Sequence, residues 1–447
     1  MRAAISILAL LAVPGVAAYG QATPTATTST ASTPAAIAGT STGFHLPISD
    51  GLWHYALGAS QIEQYGYYGP GNWAGTAGIN GDLSYSTQSV KAPFNMIYAG
   101  GALISESSGQ NTSTYQNLAI SQNLVTGKWV FGLSDQVSYL PQSPISGFAG
   151  IPGTGDTGTS PIGAPGLGPA GGLLTYSGNR VGNALNGSAE RLLSGKTSMS
   201  VTGGWDVLRF LDGNAYGYDT TDVSGEGALN HRIDARDTVA VNAVYSLFTF
   251  GQGANGVNFT TRGINGVYTR LLTRSVGLTL SAGPQWLTST NKALIPNSLN
   301  AAGSVGLSYA RGLSSAQLGY SRGVNSGYGV QYGGLSDMVS AAAEHGFGRQ
   351  WSVGVNAVYM HTDALAKSGA TPPPGLTIPL GGSFSTVFGG AQVSHLLSRS
   401  FSVYLNYAAQ HQGYDAAYKG LNAFNGTSHT IAIGITYAPH ALRTGQF

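Results

Sequence analysis

Two short strings in this sequence match patterns that carry chemistry in enzymes. Gly39-Thr-Ser41-Thr-Gly43 has the G-x-S-x-G spacing of serine hydrolases. That chemistry needs its serine on a strained turn between a strand and a helix, and this string lies in an Ala/Thr/Ser/Pro-rich stretch with neither. Gly166-Leu-Gly168-Pro-Ala-Gly171 has the spacing of a dinucleotide fingerprint, but a proline interrupts it and no strand–helix–strand unit surrounds it. Metal chemistry finds no better support. The chain has no cysteine, which excludes thiolate sites and disulfides, and its 9 histidines show no H-E-x-x-H or paired spacing. Asp212, Asp219, Asp222 and Glu226 concentrate oxygen donors of the kind calcium accepts. Their spacing matches no defined calcium loop, so they read as solvated loop acids. The expectation is a non-enzymatic protein with no catalytic residue, metal site or cofactor.

What the remaining charged residues do depends on the elements that carry them. Only 9% of residues are charged, against roughly a quarter in soluble globular domains. Their place is taken by 67 glycines, 24 tyrosines and many Ser, Thr and Asn, a composition suited to strands and turns and poorly suited to long helices. So lightly charged a surface suits lipid better than water. The net charge of +2 supplies no basic stripe for nucleic acid.

The chain start reads as an export signal over residues 1–20. Arg2 gives a positive n-region, Ala3 to Val13 an apolar run, and Val16-Ala17-Ala18 or Ala18-Tyr19-Gly20 a small-residue cleavage site. Residues 21–50 form a low-complexity polar linker. No later apolar run reaches the ~20 residues of a spanning helix, so a membrane protein built on this sequence must span with strands. Residues 51–447 supply them. In Val276-Gly-Leu278-Thr-Leu280-Ser-Ala282-Gly-Pro284-Gln-Trp286 one face is apolar and the other small or polar, and the same alternation recurs at 239–247, 351–359, 401–409 and 431–437. Trp351/Tyr359 and Phe401/Tyr407 put aromatics at the ends of such faces, where two membrane–water interfaces fall. Residues 258–271 and 383–397 alternate poorly, and Pro284 cannot donate to a ladder, so bulges or strand ends are expected there.

Short connections near 89–93, 126–128, 195–196, 233–236, 273–274, 311–313, 348–350 and 398–399 alternate with long ones, of which 141–178 is the longest. That alternation predicts an all-β fold: a closed antiparallel transmembrane β-barrel of about 18 strands (16 as the alternative), with tight periplasmic turns and longer extracellular loops. Trp53-His-Tyr55-Ala-Leu57-Gly-Ala59 supplies the first strand.

On these alternating faces, the aromatic-ended strands and the C-terminal Phe447, the chain resembles the porin-like outer-membrane barrels of Gram-negative-type bacteria. The resemblance implies localisation in the outer membrane, contact with its lipid, insertion by the barrel-assembly machinery, and a homo-oligomer as one arrangement. The third external loop, 141–178, reads either as a floppy external loop or, as in the porins the chain resembles, as a constriction folded into the pore, with Phe148, Ile151 and Leu167 as its packing residues. Few charges fall within strands, and a charge facing lipid at mid-bilayer costs about 2–4 kcal/mol. Asp206, Glu344, Arg191, Arg262 and Arg270 are therefore the pore-lining candidates, either as acids opposite bases across the lumen or as pairs that stiffen the wall. The function expected is a passive or weakly selective pore for small polar solutes, sugars among them. The alternatives are a polysaccharide export barrel, a structural or adhesive surface barrel, and, least supported, a rim enzyme.

Overall fold

The computed structural model describes residues 51–67, 69–87, 89, 91–106, 112–140, 179–211, 219–251, 256–327, 331–367, 381–415, 424–440 and 442–443. The expected signal and linker therefore lie outside the described residues. From Gly51 the chain forms eighteen long strands: β1 (Gly51–Gly66), β2 (Gly69–Thr87), β3 (Phe94–Ser105), β4 (Ser113–Thr126), β5 (Trp129–Leu140), β6 (Arg180–Leu192), β7 (Thr197–Phe210), β8 (Thr220–Arg232), β9 (Asp237–Phe250), β10 (Val257–Thr273), β11 (Val276–Ser289), β12 (Ser298–Arg311), β13 (Ser314–Asn325), β14 (Gly334–Phe347), β15 (Trp351–Ala364), β16 (Ser383–Leu396), β17 (Phe401–Tyr414) and β18 (Gly426–Tyr437). A two-residue strand, β19 (Leu442–Arg443), pairs with Leu52 and Trp53. Each long strand pairs antiparallel with its sequence neighbour, and β18 returns to β1 in register from Leu57↔Tyr437 to Tyr65↔His429. The sheet is closed. No helix of the described residues is long and apolar enough to cross a membrane.

Alternation in β9 shows how sequence assigns the two faces. Val241, Ala243 and Tyr245 point outward and are exposed, whereas Asn242 and Ser246 point inward and are fully covered. The same inversion of a soluble protein recurs around the wall. Leu57, Ile79, Leu133, Val201, Leu299 and Ile433 are each more than half exposed, as a face solvated by hydrocarbon requires. Aromatic side chains band this face at two heights. At the short-turn end Trp129 stacks on Phe131 and Trp351 on His395, and at the other end Tyr65 packs against Trp73 and Tyr407 against His429. Asp135 is the exception to an apolar mid-height. It lies outward beside Leu185 near the centre of β5, and Asn183 donates to its Oδ1 at 2.7 Å.

The strands of poor alternation are regular. β16 pairs with β15 and β17 without a register shift, and β10 shifts only between Leu271 and Thr273. Pro284 stays within β11 and keeps its place opposite Ala301. What yields is the other side, where the β10–β11 ladder skips Ile264 and Asn265; there a Cβ on Gly283 would lie 1.9 Å from the Ile264 carbonyl. Only residues 67 and 68 separate β1 from β2, so one connection at the long-loop end is short.

Three four-residue turns share one design. Ser194, Asp234 and Ser398 each accept, through a side-chain oxygen, the backbone N–H groups two and three residues on. In each, the aliphatic residue just before (Leu193, Ile233, Leu397) bonds back to the first residue of the next strand. The two N–H donors hold the Asp234 carboxyl below the usual carboxylate range.

Val201 and Thr202 are chain neighbours on opposite faces. Val201→Arg is expected to cost about 2–4 kcal/mol in denaturant unfolding from lipid vesicles, and Thr202→Arg close to nothing. Because the Asp234 carboxyl is depressed, its stabilisation is present above about pH 4 and is lost as pH falls through its folded value. Asp234→Ala should therefore destabilise at pH 7 and lose its effect in acid, while Ser194→Ala stays equally destabilising at both pH values in the same melts.

Candidate functional site

The inward face of the barrel carries two kinds of wall. Over β9 to β11 it is apolar towards the long-loop end. Phe248 and Phe250 of β9, Val257 and Phe259 of β10 and Leu287 of β11 form one buried cluster with Leu294 and Ile295 from the β11–β12 connection and Tyr332 from the β13–β14 connection. Phe248 stacks on Phe259 at 4.7 Å, and Tyr332 meets Phe250 edge-on at 5.5 Å. These connections therefore turn back into the mouth instead of standing in water. Local bonds fix them. Asn291 accepts from the backbone N–H groups of Leu294 and Ile295, and Lys367 donates its N–H to the Leu294 carbonyl. Gly333, at φ 73°, lets the β13–β14 connection seat against Phe259, since a Cβ there would come within 2.6 Å of the ring. A second inward cluster, Val358, Met360, Phe384, Phe388 and Ala408, continues the apolar lining over β15 to β17.

Over β6 to β8 the inward face is acidic and only half buried. Asp206 on β7 pairs directly with Asp222 on β8, and Asp222 in turn with Phe248, so carboxylates border the apolar cluster. Glu226, four residues along β8, accepts from Asn242 at 2.7 Å. Glu190 on β6 lies nearer the short-turn end. Asp82 on β2 and Glu344 on β14 point inward from other sides. Inward arginines are confined to the ends. Arg180 begins β6 at the mouth, only 3% exposed and with Nε and Nη1 unpartnered, and Arg232 ends β8 against the Gly195 carbonyl.

Asp206 and Glu344 thus lie on the lumen face. The three arginines expected beside them do not. Arg191 is paired with Trp129 and Met199 on the outward face, with its guanidinium 5.3 Å from the Trp129 ring. Arg262 shares the outward face with Ile264 and lies 5.9 Å from the Tyr245 ring. Arg270 is outward as well, its Nε 3.7 Å from Asp237, which also accepts from the Tyr268 hydroxyl at 2.5 Å. All three sit within a few residues of a strand end. There a long side chain reaches the interface, and a ring face or a carboxylate holds it, so the mid-bilayer penalty that favoured lumen placement does not arise. Asp222 and Glu226 also require correction: they are strand residues of the lumen wall, not loop acids, while Asp219 lies 3.8 Å from Arg209 at the β8 start. With Asp82 and Glu190, they are lumen groups that pattern reading missed, although even spacing from Asp206 along β7–β8 marks them once the register is known. Phe148, Ile151 and Leu167 lie outside the described residues, as does Phe447.

No protein-family model and no curated protein matches the chain. Among solved structures, it is similar to Pseudomonas aeruginosa OccK2 (OpdF) at 11% identity and a TM-score of 0.42, covering 88% of this chain and 98% of that one. Pseudomonas aeruginosa OprD matches at 11% identity and a TM-score of 0.40, over 88% and 95%. The FrpB iron transporter from Neisseria meningitidis matches at 8% and 0.42, over 87% and 81%. Likenesses this distant carry no argument about activity. The closed even-stranded sheet, its apolar outward band and its two aromatic belts define the class: an eighteen-stranded β-barrel of porin-like architecture.

The β11–β12 connection meets the wall through Leu294 and Ile295 as well as through the backbone bonds just described. Leu294→Ser with Ile295→Ser is expected to release the β11–β12 connection and raise single-channel conductance, with melting of the barrel itself little changed.

Proposed function

We propose that the protein is a passive, weakly selective pore for small polar solutes, neutral sugars among them. The observation that carries this reading is the half-open polar wall of β6–β8, where Ser200, Thr202, Gly204, Asp206 and Ser224 face inward without packing into a core. Eighteen strands enclose more space than their own side chains fill. In a closed sheet that space is the one route on which a polar solute keeps its hydration. The apolar mouth supports a size limit rather than a tight binding site, since few directed hydrogen-bond donors converge there. An outer-membrane location, assembly by the barrel machinery and a homo-oligomeric state accompany this proposal. No described contact favours an export or adhesive role over it.

The purified, folded barrel is expected to form steady open channels in planar bilayers and to let sugar-loaded vesicles swell at rates that fall with sugar size. A heat-modifiable, correctly folded barrel without conductance would remove the pore reading.

A further inference from the structure

We infer that the lumen selects for small hydrated cations over anions, a reading that rests on the pore proposed above. It comes from how the sheet sorts charge between its faces. Outward charges of both signs occur, and several have local partners: Arg322 is ion-paired to Asp337, Arg270 lies beside Asp237, and Arg191 sits over Trp129. Inward, between the two ends of the barrel, the charged strand residues described are all acids. Among the described residues, the carboxylates of Asp82, Glu190, Asp206, Asp222, Glu226 and Glu344 face the lumen, and the inward strand-borne arginines, Arg180 and Arg232, stand at opposite ends.

Two further observations separate this wall from an ordinary polar lining. Asp206 and Asp222 are direct cross-strand partners. Like charges so placed oppose each other across the ladder, and no base intervenes to relieve them. One oxygen of Asp222 and one of Glu190 also lack any hydrogen-bond donor, so neighbouring residues do not spend their acceptor capacity. The longest connection cannot offset the charge, because residues 141–178 include Asp156 and no Lys or Arg. A narrow passage between low-dielectric walls focuses the field of such charges on whatever ion passes. The transverse field expected from acids facing bases is absent because the bases point into the interface. What remains is a net negative potential along β6–β8, immediately below the apolar mouth.

The full-length folded protein in planar bilayers under a KCl gradient provides the test, through the sign of the reversal potential. A potassium-over-chloride permeability ratio of at least about three is expected at ~0.1 M salt, falling towards one near 1 M as the screening length shrinks from ~10 Å to ~3 Å. Asp206→Asn with Asp222→Asn and Glu226→Gln should reduce the low-salt ratio at least twofold. Asp206→Asn alone, which removes a like-charge conflict and so preserves folding, should shift it in the same direction. Arg191→Gln and Arg262→Gln, on the outward face, should leave it unchanged. Channels that conduct with a ratio at or below one, or whose ratio ignores the lumen substitutions, overturn the selectivity while the pore stands. A folded barrel that never conducts overturns both.

Discussion

Hydrocarbon offers no partner to a backbone amide, and every other feature of this protein follows from that. Each unpaired N–H or C=O exposed to lipid costs several kcal/mol, so the sheet must end on itself. The pairing of β18 with β1 meets that demand. Closure then fixes which side chains meet lipid. With a period of two, choosing the face for Val241 also chooses it for Asn242, and the inverted burial of the wall is the result.

Charge placement follows the same geometry. An arginine on the outward face is tolerated near a strand end, where its stem lies along apolar surface and its head reaches the headgroups. Acids stand either outward beside a base, as Asp237 and Asp337 do, or inward, as Asp206, Asp222 and Glu344 do. Asp135 breaks the pattern and is met by Asn183 instead. Height on the wall and a local partner, rather than sign alone, thus go with the face a charge takes.

Much of the barrel was legible because its strands are amphipathic. The stretches at 276–286, 351–359, 401–409 and 431–437 announce their faces, and the alternation of short and long connections gives strand number and closure. β10 and β16 were obscured because glycines and small polar residues, such as Gly263 and Gly389, occupy both faces, leaving no contrast to read. Arg191, Arg262 and Arg270 face outward against the sequence expectation because they stand near the strand ends, where the mid-bilayer cost of a charge does not apply. Residue height on the wall, which sequence gives only after the turns are fixed, decides between the two. The inward turn of the β11–β12 connection had a faint signal in Leu294-Ile295, an apolar pair in an otherwise polar link. Tyr332 of the same cluster comes from the next long connection, and no local pattern joins them.

The seam between first and last strands differs in kind from the other ladders. Neighbouring strands meet across a few tens of residues or fewer, whereas Leu57 and Tyr437 are about 380 positions apart. Chain-closure entropy grows with the logarithm of separation, so the seam is costlier to form from the free chain than a hairpin. It buries no more backbone in return. The last ladder to zip during assembly, and the first to part under load, should therefore be this one, and the small clasp of Leu442–Arg443 on Leu52 and Trp53 sits at its foot.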